Sequence, residues 1–177
     1  MRKYLIKTER LGLRNWLPSD EVPFIEMCQD PEVMKHFPGV LTAEETRELM
    51  GRLKQHYEDF GYTYFAVDVL ENQEFIGFAG VKNQTWESEF TPCVDIGWRL
   101  KRSAWGKGYA TEAAQKCRDY AFESDFTSSL ISLIIPSNIG SQKVAQKNGM
   151  KLDKTLDDYE GLKVNVFRIE KEDWLKS

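Results

Sequence analysis

The sequence predicts an α/β domain with one mixed, largely antiparallel central sheet of about seven strands, flanked by four helices. Two observations carry this. Three strand-like segments in the first half are joined by connections too short for crossovers, so they pair as antiparallel hairpins. Further on, the run Leu130-Ile131-Ser132-Leu133-Ile134-Ile135 follows a long helical stretch and reads as a strand buried on both faces, as a βαβ unit requires. No repeat, low-complexity tract or linker interrupts the 177 residues, so a single domain spanning 1–177 is expected.

The elements follow in order. Residues 8–16 alternate polar and apolar around Leu11 and Leu13, a strand pattern. Pro18-Ser19-Asp20 opens a helix to about Gln29, with Val22, Ile25 and Met27 or Cys28 facing inward. A loop holds His36-Phe37-Pro38-Gly39. Thr42 and Glu45 then form a capping box for a helix to about Phe60. Its apolar stripe is Leu49, Leu53 and Tyr57, His56 falls on the exposed face, and Gly61 sits just past the end. Strands are expected at 63–70, 75–82 and 93–100, with a loop at 84–92 carrying Trp86. A helix over 107–123, the buried strand at 130–135 and a short helix over 138–148 closed by Gly149 come next. Strands at 150–156 and 164–169 flank a turn containing Gly161.

Composition narrows the function. A net charge of −4 leaves no basic excess to neutralise phosphates along a nucleic acid, and it suits a cationic substrate as well as an ordinary acidic protein. Cys28, Cys93 and Cys117 are far apart and lack CxxC spacing, which argues against a zinc site or a disulfide framework and for a reducing cytoplasm. No segment approaches the ~20 apolar residues that span a bilayer, so no membrane association is expected.

The most informative stretch is Trp105-Gly106-Lys107-Gly108-Tyr109-Ala110-Thr111, between a strand and a helix. Glycines let backbone approach a ligand closely, and a helix N-terminus offers free N–H groups and partial positive charge to a phosphate. Ala110, Ala113, Ala114, Cys117 and Ala121 give that helix a face of small side chains, suited to close packing on a sheet or simply to helix core. A Walker loop is absent, and a Rossmann fingerprint fails because Thr111 stands where its third glycine belongs. A second constellation, Asn138 and Ser141, lies at the head of the short helix three residues apart. Asn138 is suited either to cap that helix or to bind another amide.

At these residues the sequence resembles the GNAT superfamily of acyl-CoA-dependent N-acetyltransferases, in its RimJ/RimL-like branch. The likeness runs through Thr8-Glu9-Arg10-Leu11-Gly12-Leu13-Arg14, Asp95-Ile96-Gly97-Trp98-Arg99-Leu100, the glycine stretch, and Asn138-Ile139-Gly140-Ser141-Gln142-Lys143-Val144-Ala145. The family's pyrophosphate motif, Q/R-x-x-G-x-G/A, falls on Trp105, Gly108 and Ala110, with Trp105 replacing the polar residue. The resemblance implies a V-shaped split between the fourth and fifth predicted strands, acetyl-CoA as acyl donor, and a cofactor site formed by Ile96, Gly97, Trp98, Trp105, Gly106, Lys107, Gly108, Tyr109, Ala110, Thr111, Asn138 and Ser141. Main-chain N–H groups of the loop would hold the diphosphate, with Lys107 adding charge at the rim.

The activity implied is acetyl transfer to a primary amine, on a small molecule or a protein N-terminus, by direct attack in a ternary complex. A backbone N–H near Ile96 to Trp98 would stabilise the oxyanion. Among the acidic residues of the last hairpin (Asp157, Asp158 and Glu160), Glu160 is the first candidate base and Asp95 the second, with Ser141 as the acid for the leaving thiolate. His36, Phe37 and Trp86 are candidates for the acceptor pocket. The resemblance allows a homodimer and leaves one alternative from another class, a non-catalytic acyl-CoA-binding sensor.

Overall fold

The computed structural model describes residues 2–84, 91–159 and 161–176. The elements run β1 (Ile6–Lys7), β2 (Leu11–Arg14), α1 (Glu21–Gln29), α2 (Ala43–Phe60), β3 (Tyr64–Val69), β4 (Glu74–Gln84), β5 (Cys93–Leu100), α3 (Tyr109–Glu123), β6 (Ser129–Ile134), α4 (Ile139–Lys147), β7 (Lys151–Tyr159), β8 (Leu162–Glu170) and α5 (Lys171–Trp174). All strands join one sheet in the order β1-β2-β3-β4-β5-β6-β8-β7. Every neighbouring pair is antiparallel except β5 and β6.

That exception sets the function. β5 pairs with β4 along its whole length, but with β6 at one position, Asp95 opposite Ile131. Beyond that point the two parallel strands no longer pair, and among the described residues the rest of that edge of β5 has no ladder partner. The split therefore opens where the family resemblance put it, between the strand of Asp95 and the strand of Leu130.

Strand alternation sends successive β5 side chains to opposite faces. Ile96 and Leu100 are buried in the larger core, with Val94 and Trp98 packed against it, on the face covered by α3. The small side chains Ala113, Ala114, Cys117 and Ala121 are buried there too, which lets α3 lie close to the sheet. On the other face α1 and α2 cover a second core, in which Trp16, Phe24, Phe75 and Phe78 form an aromatic cluster.

Several expectations change. The strand expected at 8–16 is Leu11–Arg14, and a further short strand, Ile6–Lys7, precedes it: the Leu11 N–H donates to the Thr8 hydroxyl (2.8 Å) and the Thr8 N–H to the Leu11 carbonyl (2.9 Å), turning the chain into a hairpin, so the sheet has eight strands. A short fifth helix, α5, follows β8. Val22 is 64% exposed, and Phe24 takes the inward place on α1. The buried stripe of α2 is Thr46, Met50, Leu53 and His56, with Leu49 and Tyr57 at its margins. His56, expected on the surface, is buried: its Nε2 accepts from the Asn83 N–H (3.1 Å) and its Nδ1 lies 2.7 Å from the Tyr62 carbonyl, so a neutral ring donating from Nδ1 satisfies both. The Thr42–Glu45 capping box and the left-handed Gly61 at the end of α2 are as expected.

Candidate active site

The head of α3 is the first part of the site. Gly106 and Gly108 have φ of 73° and 81°, a left-handed conformation that costs a residue with a Cβ roughly 1 kcal/mol. Together they turn the chain so that the main-chain N–H groups of residues 106–111 donate to no protein acceptor among the described residues. Consecutive free donors at a helix N-terminus form an anion cradle.

The opening motif of the chain holds this cradle in place. Glu112, in the first turn of α3, accepts from the Thr8 hydroxyl, the Arg10 N–H (3.0 Å) and Arg10 Nε (2.7 Å). Arg10 also donates to the Lys107 carbonyl (3.0 Å) and stacks over the Tyr109 ring at 4.7 Å. Burial pushes the Glu112 carboxyl up, yet the bonds from Thr8 and Arg10 outweigh it and hold it below its usual value.

From the cradle a cleft of about 610 Å³ runs to the β5–β6 split, lined by Trp98, Trp105, Gly106, Gly108, Tyr109, Ala110, Thr111, Asn138 and Ser141 among others. It continues into a smaller cavity of about 170 Å³ inside the split, reached by Asp95, Ile96, Gly97 and Tyr64. Trp98, Asn138, Ser141, His36 and Phe37 line both. The structure thus brings together most of the residues that the sequence singled out.

Individual residues behave differently. Trp105 Nε1 donates to the Leu100 carbonyl (2.8 Å), which pins its ring at the cleft wall. Lys107 is exposed and does not line the cleft; Lys35, Lys143 and Lys147 line it instead. Asn138 caps α4, its Oδ1 accepting from the Ser141 N–H (3.1 Å), while its NH₂ group has no partner among the described residues. His36 Nδ1 lies 3.4 Å from the Ser137 hydroxyl, joining the loop after α1 to the loop before α4 across the cleft. Trp86 and Glu160 lie outside the described residues. Of the other hairpin acids, Asp157 pairs with Lys163 (2.7 Å) and Asp158 accepts from the Gly161 N–H (2.9 Å); neither lines the cleft.

Asp95 has a strongly altered environment. It is 8% exposed, at the vertex of the split, and the Tyr64 hydroxyl donates to its Oδ2. Burial pushes its pKa up to about 6, against hydrogen bonds from Tyr64 and Gln84 and the nearby charge of Lys82. Burial and the Asp95 charge drive the Tyr64 phenol well above its ordinary value, so it remains a donor. Gly97 gives this pairing room, since a Cβ there would stand 3.0 Å from the Tyr64 ring and hydroxyl and press them aside by a few tenths of an ångström. Sequence reasoning missed Tyr64, because it acts from two strands away and no local spacing marks it.

A family model described as an acetyltransferase (GNAT) domain matches residues 10–151. The chain belongs to the GNAT acetyltransferases. It is an N-acetyltransferase by that membership and by its relatives. The N-acetyltransferase p20 of Bacillus licheniformis, itself uncharacterised, is 31% identical over 161 residues, 88% of this chain and 87% of that one. A GNAT-family acetyltransferase from Bacillus anthracis superposes with a TM-score of 0.80 at 27% identity, covering 94% of this GNAT chain and 98% of the other. The RimL ribosomal L7/L12 N-acetyltransferase, solved with coenzyme A, shares the fold with a TM-score of 0.77 at 17% identity over 95% of this chain and 98% of its own.

Proposed function

We propose that this protein transfers the acetyl group of acetyl-CoA to a primary amine by direct attack in a ternary complex, with Asp95 as the general base. The observation that carries the reading is the row of unengaged N–H groups at residues 106–111 opening onto a split sheet with a buried carboxylate at its vertex. The cradle suits a diphosphate in charge and in its run of N–H donors, with Lys35, Lys143 and Lys147 lining the same cleft. When bound, the thioester supplies an already activated acyl group, so no acyl-enzyme is needed.

The chain's own residues then have four tasks. The loop at 106–111 anchors the donor, and Asn138 offers its free NH₂ group to an amide of the pantetheine arm. The unpaired edge of β5 around Ile96 to Trp98 presents main-chain N–H groups toward the charge that develops on the acyl oxygen. Asp95 takes a proton from the acceptor ammonium, and the Ser141 hydroxyl returns one to the departing sulfur. His36 and Phe37 form a wall of the acceptor pocket.

On the same reading the chain is a single cytoplasmic domain. Three cysteines without disulfides and the absence, among the described residues, of any helix long and apolar enough to cross a membrane support this. The RimJ/RimL-like branch rests on the sequence resemblance at residues 8–14, 95–100, 105–113 and 138–145. Neighbours about as distant as RimL include an aminoglycoside acetyltransferase (18% identical) and a spermidine N-acetyltransferase (16%), so shared fold does not choose the acceptor. The test is a screen of amines and peptides with acetyl-CoA, read as free thiol released. Amine-dependent thiol release supports the reading; tight acetyl-CoA binding without release to any amine replaces it with the sensor.

A further inference from the structure

Arg99 differs from every other arginine in the chain. Arg2, Arg10, Arg14, Arg47, Arg52, Arg102, Arg118 and Arg168 each hold a carboxylate in an ion pair. Arg99 has none among the described residues, and its Nε is buried without any hydrogen-bond partner. Its one polar contact among the described residues is a weak one, from Nη1 to the Cys28 sulfur at 3.8 Å. The guanidinium lies 4.0 Å from the centroid of the Phe37 ring and 5.3 Å from that of Phe78.

A partly buried guanidinium with one covered N–H unpaired and no carboxylate partner costs free energy unless something completes it. Burial pulls the Arg99 pKa below its usual value, and no carboxylate is among the groups that offset it. The group still stays charged at neutral pH, because its ordinary value is so high. Arg99 lines both parts of the cleft, so a ligand there can reach it.

Which ligand it meets follows from strand alternation. Asp95, Gly97 and Arg99 share one face of β5, the face of Tyr64, Phe78 and α1. The cradle belongs to α3, which covers the opposite face. Arg99 therefore stands on the acceptor side, four residues along the strand from the proposed base. That separates their Cα atoms by roughly 13 Å, which long side chains reduce. A guanidinium with no carboxylate of its own presents N–H donors in a planar fork, which matches the two oxygens of a carboxylate.

We propose that the acceptor is an amine that also carries a carboxylate, with its amine at Asp95 and its carboxylate on Arg99. This rests on the acetyl-transfer reading and names its substrate class. Polyamines and aminoglycosides, which bring only positive charge, are poor acceptors on this view.

The experiment compares ω-amino acids and short peptides with their C-terminal amides as acceptors, in wild type, Arg99→Met and Arg99→Lys. Wild type should favour carboxylates at least tenfold in kcat/KM. Arg99→Met should abolish that preference, and Arg99→Lys should restore part of it. Acetyl-CoA affinity by calorimetry should be unchanged in both variants, and Arg99→Met should melt no lower than wild type, since it removes an unpaired charge. Equal use of acids and amides, a preference for polyamines or for phosphorylated amines, or a matching loss of acetyl-CoA affinity in Arg99→Met would each overturn the assignment and leave acetyl transfer standing. If acetyl-CoA binds but no amine releases thiol, the transfer reading falls and takes this inference with it.

Discussion

At the scale of single residues, the chemistry turns on Asp95, a carboxyl that burial brings to a pKa of about 6. A base must be ionised, so kcat/KM should rise with pH through about 6 and flatten above it, apart from the acceptor's own titration. In Asp95→Asn that limb should disappear, with a loss of roughly 10²–10⁴-fold in kcat and little change in acetyl-CoA affinity. Stability should move the other way. The folded-state pKa lies above the unfolded one, so the carboxyl stabilises the fold fully only below about pH 4, and that contribution is lost as pH rises through 6. Asp95→Asn should therefore melt higher than wild type at pH 7–8, and the difference should close in acid; an equal or lower melting point at neutral pH would mean that the carboxylate is not strained there. Ser141→Ala should lower turnover and leave acetyl-CoA affinity nearly intact, measured by single-turnover kinetics and calorimetry; a fully active variant would remove Ser141 from the mechanism.

At the scale of elements, the cradle depends on where α3 begins, and Glu112 fixes that. Glu112→Gln cannot accept from Thr8 and both Arg10 donors equally well, so the loop should loosen. We expect the KM for acetyl-CoA to rise about tenfold with kcat largely kept, together with a stability loss of about 1 kcal/mol in a denaturant titration. The loop itself was legible in sequence, because Gly106, Gly108 and the small face of α3 lie within a few residues of one another. The caps of α2 were legible for the same reason. His56 was misplaced: it follows Leu49 by seven residues and Leu53 by three, at the edge of the same helical stripe. What the sequence did not show is the Tyr62 carbonyl and the Asn83 N–H, which give its buried ring nitrogens their partners. Tyr64 and Arg99 were hidden likewise: strand alternation puts Arg99 on the face of Asp95, but what shares that face depends on which strands and helices lie beside it.

At the scale of the whole molecule, the N-terminal strands are locked by Arg14, buried between two acids. Its Nε and Nη2 donate to Asp68 (both 2.7 Å), and Nη1 and Nη2 to Asp20 (2.6 and 2.9 Å). Arg14→Met leaves the buried Asp20 without its cation and Asp68 with Arg2 alone, and should cost about 3–5 kcal/mol, seen as a large drop in melting temperature. The double variant with Asp20→Asn should recover part of it. The resemblance predicted the gap in the sheet, but the pairing that bounds it is a property of the assembled fold: strands β1 to β5 and strands β6 to β8 meet at one ladder position, Asp95 opposite Ile131. On the proposed reading a pantetheine arm lies along the open edge and stands in for the missing stretch of strand. The two halves of the molecule are then coupled through the bound coenzyme, and the sheet is mechanically whole only while a pantetheine arm, acylated or not, lies between them.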